Sequence, residues 1–298
     1  MKSDLPGWSR VGVPPRAPGT VLAFLRQRFP RVEEAVWRQR LAAGQVCNAA
    51  GKPLAADMPV AVTTHLLYRR TVQQEVPVPF AHTVLHQDSA LVVVDKPHFL
   101  PTAPAGQHAA QTLLTRLQRQ LGLPQLSPLH RLDKDTAGVV LFCADPALRD
   151  AYHSLFRNRQ VDKVYEAVAR WHVRFATPVV HRSRLEPGGP RFFTMMEVPG
   201  EPNSQTSMEV IARHGAWALY RLRPESGRKH QLRVHMAALG VPIRHDAFYP
   251  AINDPPEGDF SRPLQLLARR IAFNDPLTGA LRVFESRRQL QWPPPEAA

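Results

Sequence analysis

The run His130-Arg131-Leu132-Asp133-Lys134-Asp135-Thr136-Ala137-Gly138-Val139-Val140-Leu141-Phe142 decides how this chain is read. It places one carboxylate, Asp133, in a turn that feeds an apolar strand. Thr136 and Gly138 suit a tight, hydrogen-bonded turn. Residues 139–143 then read as a buried strand. Such a scaffold holds a short acid rigidly at the edge of a sheet, where a reactive group is useful. An Asp in a loop ordinarily bonds its own turn amides, so the rest of the chain must decide between the two readings.

A length of 298 residues fits one large domain plus a small one, with ample sequence for a core. Lys and Arg total 38 against 25 for Asp and Glu, a formal net charge of +13. A protein this basic is biased toward polyanions, chiefly nucleic acid. Charge alone does not separate RNA from DNA or from an anionic membrane surface. No stretch approaches the roughly 18 apolar residues of a membrane span. The first residues lack the apolar core of a signal peptide. Cys47 and Cys143 stand alone with no C-x-x-C pattern, so neither a disulfide scaffold nor a zinc ribbon is indicated, and a reducing cytoplasm is expected. The 30 prolines fall between recurring apolar runs and suggest rigid loops.

Residues 1–18, rich in Pro and Gly, read as an extended arm. Residues 19–75 read as a separate module. Leu22, Leu25 and Phe29 form one helical stripe that Pro30 stops. A second helix is predicted over residues 32–43, with Ala35, Val36, Trp37 and Leu41 inward and Gly44 at its end. Residues 45–48 read as a short strand before a turn at Gly51. This order resembles the αL-type RNA-binding module of ribosomal proteins, with Arg26, Arg28, Arg31, Arg38 and Arg40 as its basic face. The alternative is a helical cap with a solvated Arg face. Pro77 and Pro79 mark a linker.

From residue 84 strands and helices mix. Residues 91–94 are a continuous apolar strand. Residues 112–121 read as a helix stopped by Gly122. Pro146 opens another helix carrying Leu148, Tyr152, Leu155 and Phe156. Residues 163–170 alternate as a strand. His214-Gly215 and residues 274–279 each join two strands as hairpins. This pattern argues for an α+β fold with a largely antiparallel sheet. Residues 174–205, with Arg182, Arg184 and Arg191, read as a basic, Pro/Gly-broken loop or insertion.

Four dispersed motifs resemble the RluA-type pseudouridine synthases, in that family's order. They are Leu91-Val92-Val93-Val94-Asp95-Lys96-Pro97, the run around Asp133, Lys163-Val164-Tyr165-Glu166-Ala167, and Gly227-Arg228-Lys229-His230-Gln231-Leu232-Arg233-Val234-His235-Met236. The resemblance implies a pseudouridine synthase fold, a mixed sheet flanked by helices, as the catalytic domain over residues 76–298. It implies that Asp133 is the catalytic aspartate, Tyr165 the active-site aromatic and Arg233 the basic partner of the aspartate. Arg131 resembles the arginine that enters the RNA stack beside the extruded base. His130, Lys163, Arg228 and Lys229 are counted with it as RNA-binding residues.

The implied reaction breaks the ribose–nitrogen bond of a uridine in RNA and rejoins the ribose to a carbon of the same ring. A stacked base is out of reach, so it must be flipped into a pocket. The aspartate acts as an anion, whether as nucleophile or as base at the sugar. Burial opposes that charge and a nearby Arg supports it. The planar, always-charged fork of Arg233 has no geometric equivalent in Lys. A Tyr165 ring offers uracil a stacking surface. The chemistry needs no redox agent, so no cofactor is expected. His230 and His235 are five residues apart, which misses a shared helical face, and no metal site is expected.

Two departures stand out. Ala137 replaces the usual Ser after the motif Thr. His245-Asp246-Ala247-Phe248-Tyr249-Pro250 stands where the family has Gly-Asp-x-x-Tyr-Gly, so both flanking glycines are lost. An altered loop backbone is therefore expected, with consequences for substrate choice more than for activity. A monomeric RNA pseudouridine synthase acting on ribosomal or transfer RNA is the leading reading. A non-catalytic RNA-binding or ribosome-assembly protein that keeps the fold is the alternative. The set Asp133, Tyr165 and Arg233 favours the enzyme, since a binding protein has no chemical need of all three.

Overall fold

Ala137–Cys143 is buried at every position. Val139, Leu141 and Cys143 pack on one face with Tyr152 and Leu155. Val140 and Phe142 pack on the other with Leu113 and Leu117. Strand side chains alternate between faces, so a run apolar throughout needs cover on both sides. Leu91–Lys96 follows the same rule, with Leu91 and Val93 in the first core and Val92 and Val94 in the second.

The structure, a computed structural model, describes residues 8–30, 32–69, 75–104, 110–189, 191, 193–253 and 255–294. It divides into two compact units, Met1–Glu75 with Ala105–Ala110, and Val76–Pro104 with Gln111–Ala298. In chain order the strands are β1 (Trp8–Gly12), β2 (Val46–Cys47), β3 (His65–Arg69), β4 (Thr83–Gln87), β5 (Leu91–Lys96), β6 (Ser127–Pro128) and β7 (Ala137–Cys143). They continue as β8 (Asp162–Arg170), β9 (Val179–Pro187), β10 (Met195–Val198), β11 (Ser204–His214), β12 (Trp217–Pro224), β13 (Leu266–Asn274) and β14 (Leu281–Glu285). The helices are α1 (Val21–Arg28), α2 (Glu34–Ala42), α3 (Leu113–Leu121), α4 (Arg149–Arg157) and α5 (Gln231–Ala238).

In the smaller unit, β1, β3 and β2 form an antiparallel sheet. Thr20 caps α1 by accepting the Ala23 N–H at 3.2 Å. Leu22, Leu25, Trp37 and Leu41 enter its core, as their helical spacing predicts, whereas Ala35 is exposed. The stretch read as an extended arm departs from that expectation. Trp8–Gly12 pairs with His65–Arg69, because the arm's backbone groups find partners along an otherwise open strand edge. Residues 1–7 of that arm, and Arg31 of the expected basic face, lie outside the described residues.

The larger unit is an α+β fold around an eleven-stranded sheet in the order β10-β9-β11-β12-β8-β13-β7-β5-β4, with β14 on β13 and β6 on β7. Among the described residues only the β13–β7 pairing of this sheet is parallel; the others are antiparallel. At that pairing Gly138 lies beside Ala268 with φ +115°, and a Cβ there would sit 2.2 Å from the Ala268 carbonyl oxygen. Only glycine fits.

Residues 174–205 differ from the expected loop. They supply β9, β10 and the start of β11, which extend the sheet to its edge. The half-buried alternation of β9, with only Leu185 fully buried, is weak in sequence because this edge is covered on few positions.

Candidate active site

Asp133 stands in the loop between β6 and β7, and buried groups hold that loop from behind. The Leu132 N–H donates to Thr102 Oγ1 at 3.1 Å, and Thr102 Oγ1 donates back to the Leu132 carbonyl at 2.8 Å. Lys96 is wholly buried and donates to the carbonyls of Pro97 (3.0 Å), Leu100 (2.7 Å) and Lys134 (3.0 Å). Three carbonyl acceptors match the three N–H groups of an ammonium. Burial pushes the Lys96 pKa down to about 7, against the opposing pull of Asp135 and Asp133. The His98 ring bonds the Asp135 carbonyl at 2.7 Å.

The turn itself is closed through the backbone. The Thr136 N–H donates to the Asp133 carbonyl at 3.2 Å, which leaves the carboxylate out of the turn. The reading of Asp133 as a turn-capping residue therefore fails. Its Oδ2 lies 3.7 Å from Arg233 Nη1 and 3.9 Å from His230 Nε2, and its side chain is 20% exposed.

Arg233 lies in α5, where it is buried. Its main partner is not Asp133. Nε and Nη2 donate to the two oxygens of Asp246 at 2.8 and 2.6 Å. Burial works against the guanidinium charge, but the bonds and charge of Asp246, with Asp133, outweigh it and hold the pKa above its ordinary value. The expected ion pair with Asp133 is present at 3.7 Å, and the structure adds Asp246 to it. Arg233 bridges two carboxylates, one tightly and one at longer range.

His230, placed by sequence in the fourth motif with no role of its own and no metal site expected, faces the Asp133 carboxylate. It caps the start of α5 in the left-handed region at φ +54°. Tyr249 Oη accepts the Met195 N–H at 2.8 Å and lies 2.8 Å from His230 Nδ1. Tyr249 Oη therefore holds the Nδ1 side of the ring, and Nε2 is the atom that faces Asp133. Burial pushes the His230 pKa down to about 4, so the ring is neutral at neutral pH.

Tyr165, in the central strand β8, pairs with Leu222 on one side and Ala268 on the other. Burial, followed by the Asp133 charge, raises its hydroxyl well above the ordinary value, so it stays protonated. Asp133, Tyr165, Arg233, Arg131, Lys163, Arg228 and Lys229 all line one cavity of about 240 Å³, with His230 and Gln231. Gln231 was not anticipated. It accepts from Ser226 Oγ (2.7 Å) and the Arg228 N–H (3.1 Å), and donates to the Gln205 carbonyl (2.9 Å). That fixes the rim carrying Arg228.

Arg131, Arg228 and Lys229 are exposed at this rim, and Lys163 donates to the Ser226 carbonyl at 3.0 Å. His130 is half-buried beside this rim. Its Nε2 accepts the Leu141 N–H at 3.1 Å and its ring stacks on Phe156 at 5.0 Å. Burial pushes its pKa down to about 3, so it offers phosphate no charge.

The lost glycines also have a structural answer. His245 keeps φ at +63°, so the left-handed backbone persists without glycine. The loop's effect reaches the catalytic groups, since Asp246 belongs to it. Among the described residues one cluster has metal-ligand chemistry, His181, Glu197 and His235. His235 Nδ1 bonds Thr206 Oγ1 at 2.9 Å and Nε2 bonds Ser204 Oγ at 3.0 Å, so both nitrogens already serve the fold.

Residues 90–238 match the family profile of RNA pseudouridylate synthase. The dual-specificity RNA pseudouridine synthase RluA of Escherichia coli O6:H1 is 34% identical over 68% of this chain and 91% of its own length. An uncharacterized RNA pseudouridine synthase of Synechocystis is 29% identical over 77% of this chain and 79% of its own. Among solved structures, human RNA pseudouridylate synthase domain containing 4 superposes with a TM-score of 0.52 at 26% identity, over 70% of this chain and 88% of that one. An acid held out of its turn beside a buried arginine, in a cavity walled by a tyrosine, agrees with that kinship. This chain belongs to the RNA pseudouridylate synthase family and is an RluA-type enzyme that isomerises uridine in RNA to pseudouridine.

Proposed function

We propose that Asp133 is the catalytic carboxylate, and that it acts on a uridine flipped out of a ribosomal or transfer RNA into the cavity over Tyr165. The observation that carries this is the Asp133 carboxylate, free of its own turn and flanked by Arg233 Nη1 and His230 Nε2. Attack on the base and proton removal at the sugar both require the anion. Arg233 supplies the positive charge that sustains it, and neutral His230 faces it through Nε2 without competing for the negative charge. Tyr165 supplies the stacking face. Arg131, Arg228 and Lys229 at the rim contact flanking phosphates, which position the strand and carry no sequence information.

The RNA class draws on the names of two relatives, a dual-specificity RNA pseudouridine synthase and a mitochondrial tRNA pseudouridine(32) synthase of yeast. The smaller unit, with Arg26, Arg28, Arg38 and Arg40, adds electrostatic contacts to RNA outside the catalytic cavity. The protein acts as a cytoplasmic monomer without metal or cofactor, in keeping with two buried cysteines that form no C-x-x-C pattern and a reaction that exchanges no electrons. Mapping pseudouridine across cellular RNA in a deletion strain and its parent tests the target. Loss of one or a few sites in ribosomal or transfer RNA is expected. An unchanged map in both classes would reject this target assignment.

A further inference from the structure

Arg233 is 2% exposed and its guanidinium is held on several sides. The bidentate bonds to Asp246 set its plane, because two parallel N–H···O bonds leave a fork no free rotation. The Phe248 ring lies 4.8 Å from the guanidinium carbon and the Tyr249 ring 5.5 Å. Asp246 is itself fixed. Its side chain is 1% exposed, and Oδ1 accepts the N–H groups of Phe248 (2.8 Å) and Tyr249 (3.2 Å). Nη1 remains. It is buried, has no hydrogen-bond partner among the described residues, and stands 3.7 Å from Asp133 Oδ2. A buried donor without a partner costs about 1–3 kcal/mol, so a fold that keeps one aimed at a reactive carboxylate has a use for it.

The geometry points to Asp246 as the positioning residue of the active site: it fixes the Arg233 plane so that Nη1 is held for Asp133 when substrate closes the cavity. The inference rests on the reading of Asp133 and Arg233 as the catalytic pair. Catalytic hydrogen bonds are often long in an empty site and shorten in the loaded one. A displacement near 1 Å in such a site lowers the rate on the order of 100-fold. Asn at position 246 keeps an oxygen for the turn amides but turns an NH2 group toward one arm of the fork.

The experiment is a double-mutant cycle of Asp246→Asn and Arg233→Lys, read as single-turnover pseudouridine formation on in vitro transcribed ribosomal and transfer RNA, with binding of the same RNA measured alongside. Wild type and Asp133→Asn run in the same assay and report on the underlying catalytic reading separately. Asp246→Asn is expected to lose on the order of 100-fold in rate with RNA affinity unchanged, and to move the acidic limb of the rate profile to higher pH. Adding Arg233→Lys should cost little more, because both variants break one unit. Asp246→Glu, which keeps the carboxylate, should recover part of the rate, and it carries the same cycle if the Asn variant fails to melt cooperatively. Losses that multiply would overturn the inference, as would a normal rate and pH profile in a folded Asp246→Asn protein.

Discussion

Arg233 Nη1 approaches Asp133 Oδ2 to 3.7 Å, beyond hydrogen-bond length, while the other two nitrogens of the same fork are bound to Asp246. The Asp133 carboxylate therefore feels a fixed positive charge without being tied to it. A lysine at this position has one ammonium and no plane, so it cannot bind Asp246 and face Asp133 together. Arg233→Lys is expected to lower the single-turnover rate on the order of 100-fold and to shift the acidic limb of the rate profile upward. Equal activity would reduce Arg233 to a generic counter-ion.

Asp133→Asn preserves shape but is neither anionic nor basic. The variant is expected to form no detectable pseudouridine while binding RNA nearly as the wild type does, since the rim cations are untouched. The check is conversion beside binding. Normal turnover by the Asn protein would sink the mechanism.

Gly138→Ala places a methyl group 2.2 Å from the Ala268 carbonyl oxygen, at a φ of +115° that L side chains rarely adopt. Both effects fall on the junction of β7 with β13, five residues beyond Asp133. A loss of about 3 kcal/mol or more is expected from the overlap and the backbone strain together. Urea unfolding measures it, and a midpoint unchanged from wild type would contradict the β7–β13 approach.

Four histidines link stability to pH. Burial pushes the pKa of His98, His230 and His235 down to about 4 and that of His130 to about 3. Each lies below the unfolded value of 6.5, so between those values the unfolded chain binds protons that the folded chain does not. Stability is then fully present above about pH 6.5 and falls as the pH drops toward 4. The four act in the same direction, so the loss across that interval is expected to be large enough to shift the urea midpoint clearly. Urea midpoints against pH provide the test. A midpoint independent of pH between 6.5 and 4 would show that these rings protonate in the folded state.

In the smaller unit, Glu34 binds Arg26 at 2.8 Å and Arg38 at 2.7 Å, whereas Arg28 and Arg40 lie over the rings of Phe29 and Trp37. If this face meets phosphate, Arg28→Ala and Arg40→Ala should each flatten the log–log salt dependence of RNA binding by ~0.7 to 0.9, with the rate at saturating RNA unchanged. Identical slopes would remove the unit from the RNA interface.

The sequence by itself determined the local features. The continuous apolar runs of β5 and β7 announced strands covered on both faces, and Thr112 and Gly122 bounded α3 because caps are written in adjacent residues. Asp133 was legible for the same reason: its turn and its strand are contiguous. The cavity's cations and Tyr165 followed from motif order. Tertiary structure alone decided what those groups touch. Asp246 reaches Arg233 from another loop, and Tyr249 ties the His230 ring to the Met195 amide. The edge strands β9 and β10 were hidden because a sparsely covered edge imposes little alternation on its side chains. His130, beside the Asp133 turn in sequence, is half-buried with its ring nitrogen on the Leu141 amide, a bond that the folding of the β6–β7 loop decides. Pairings between distant segments depend on where the backbone brings them, and no local pattern records that.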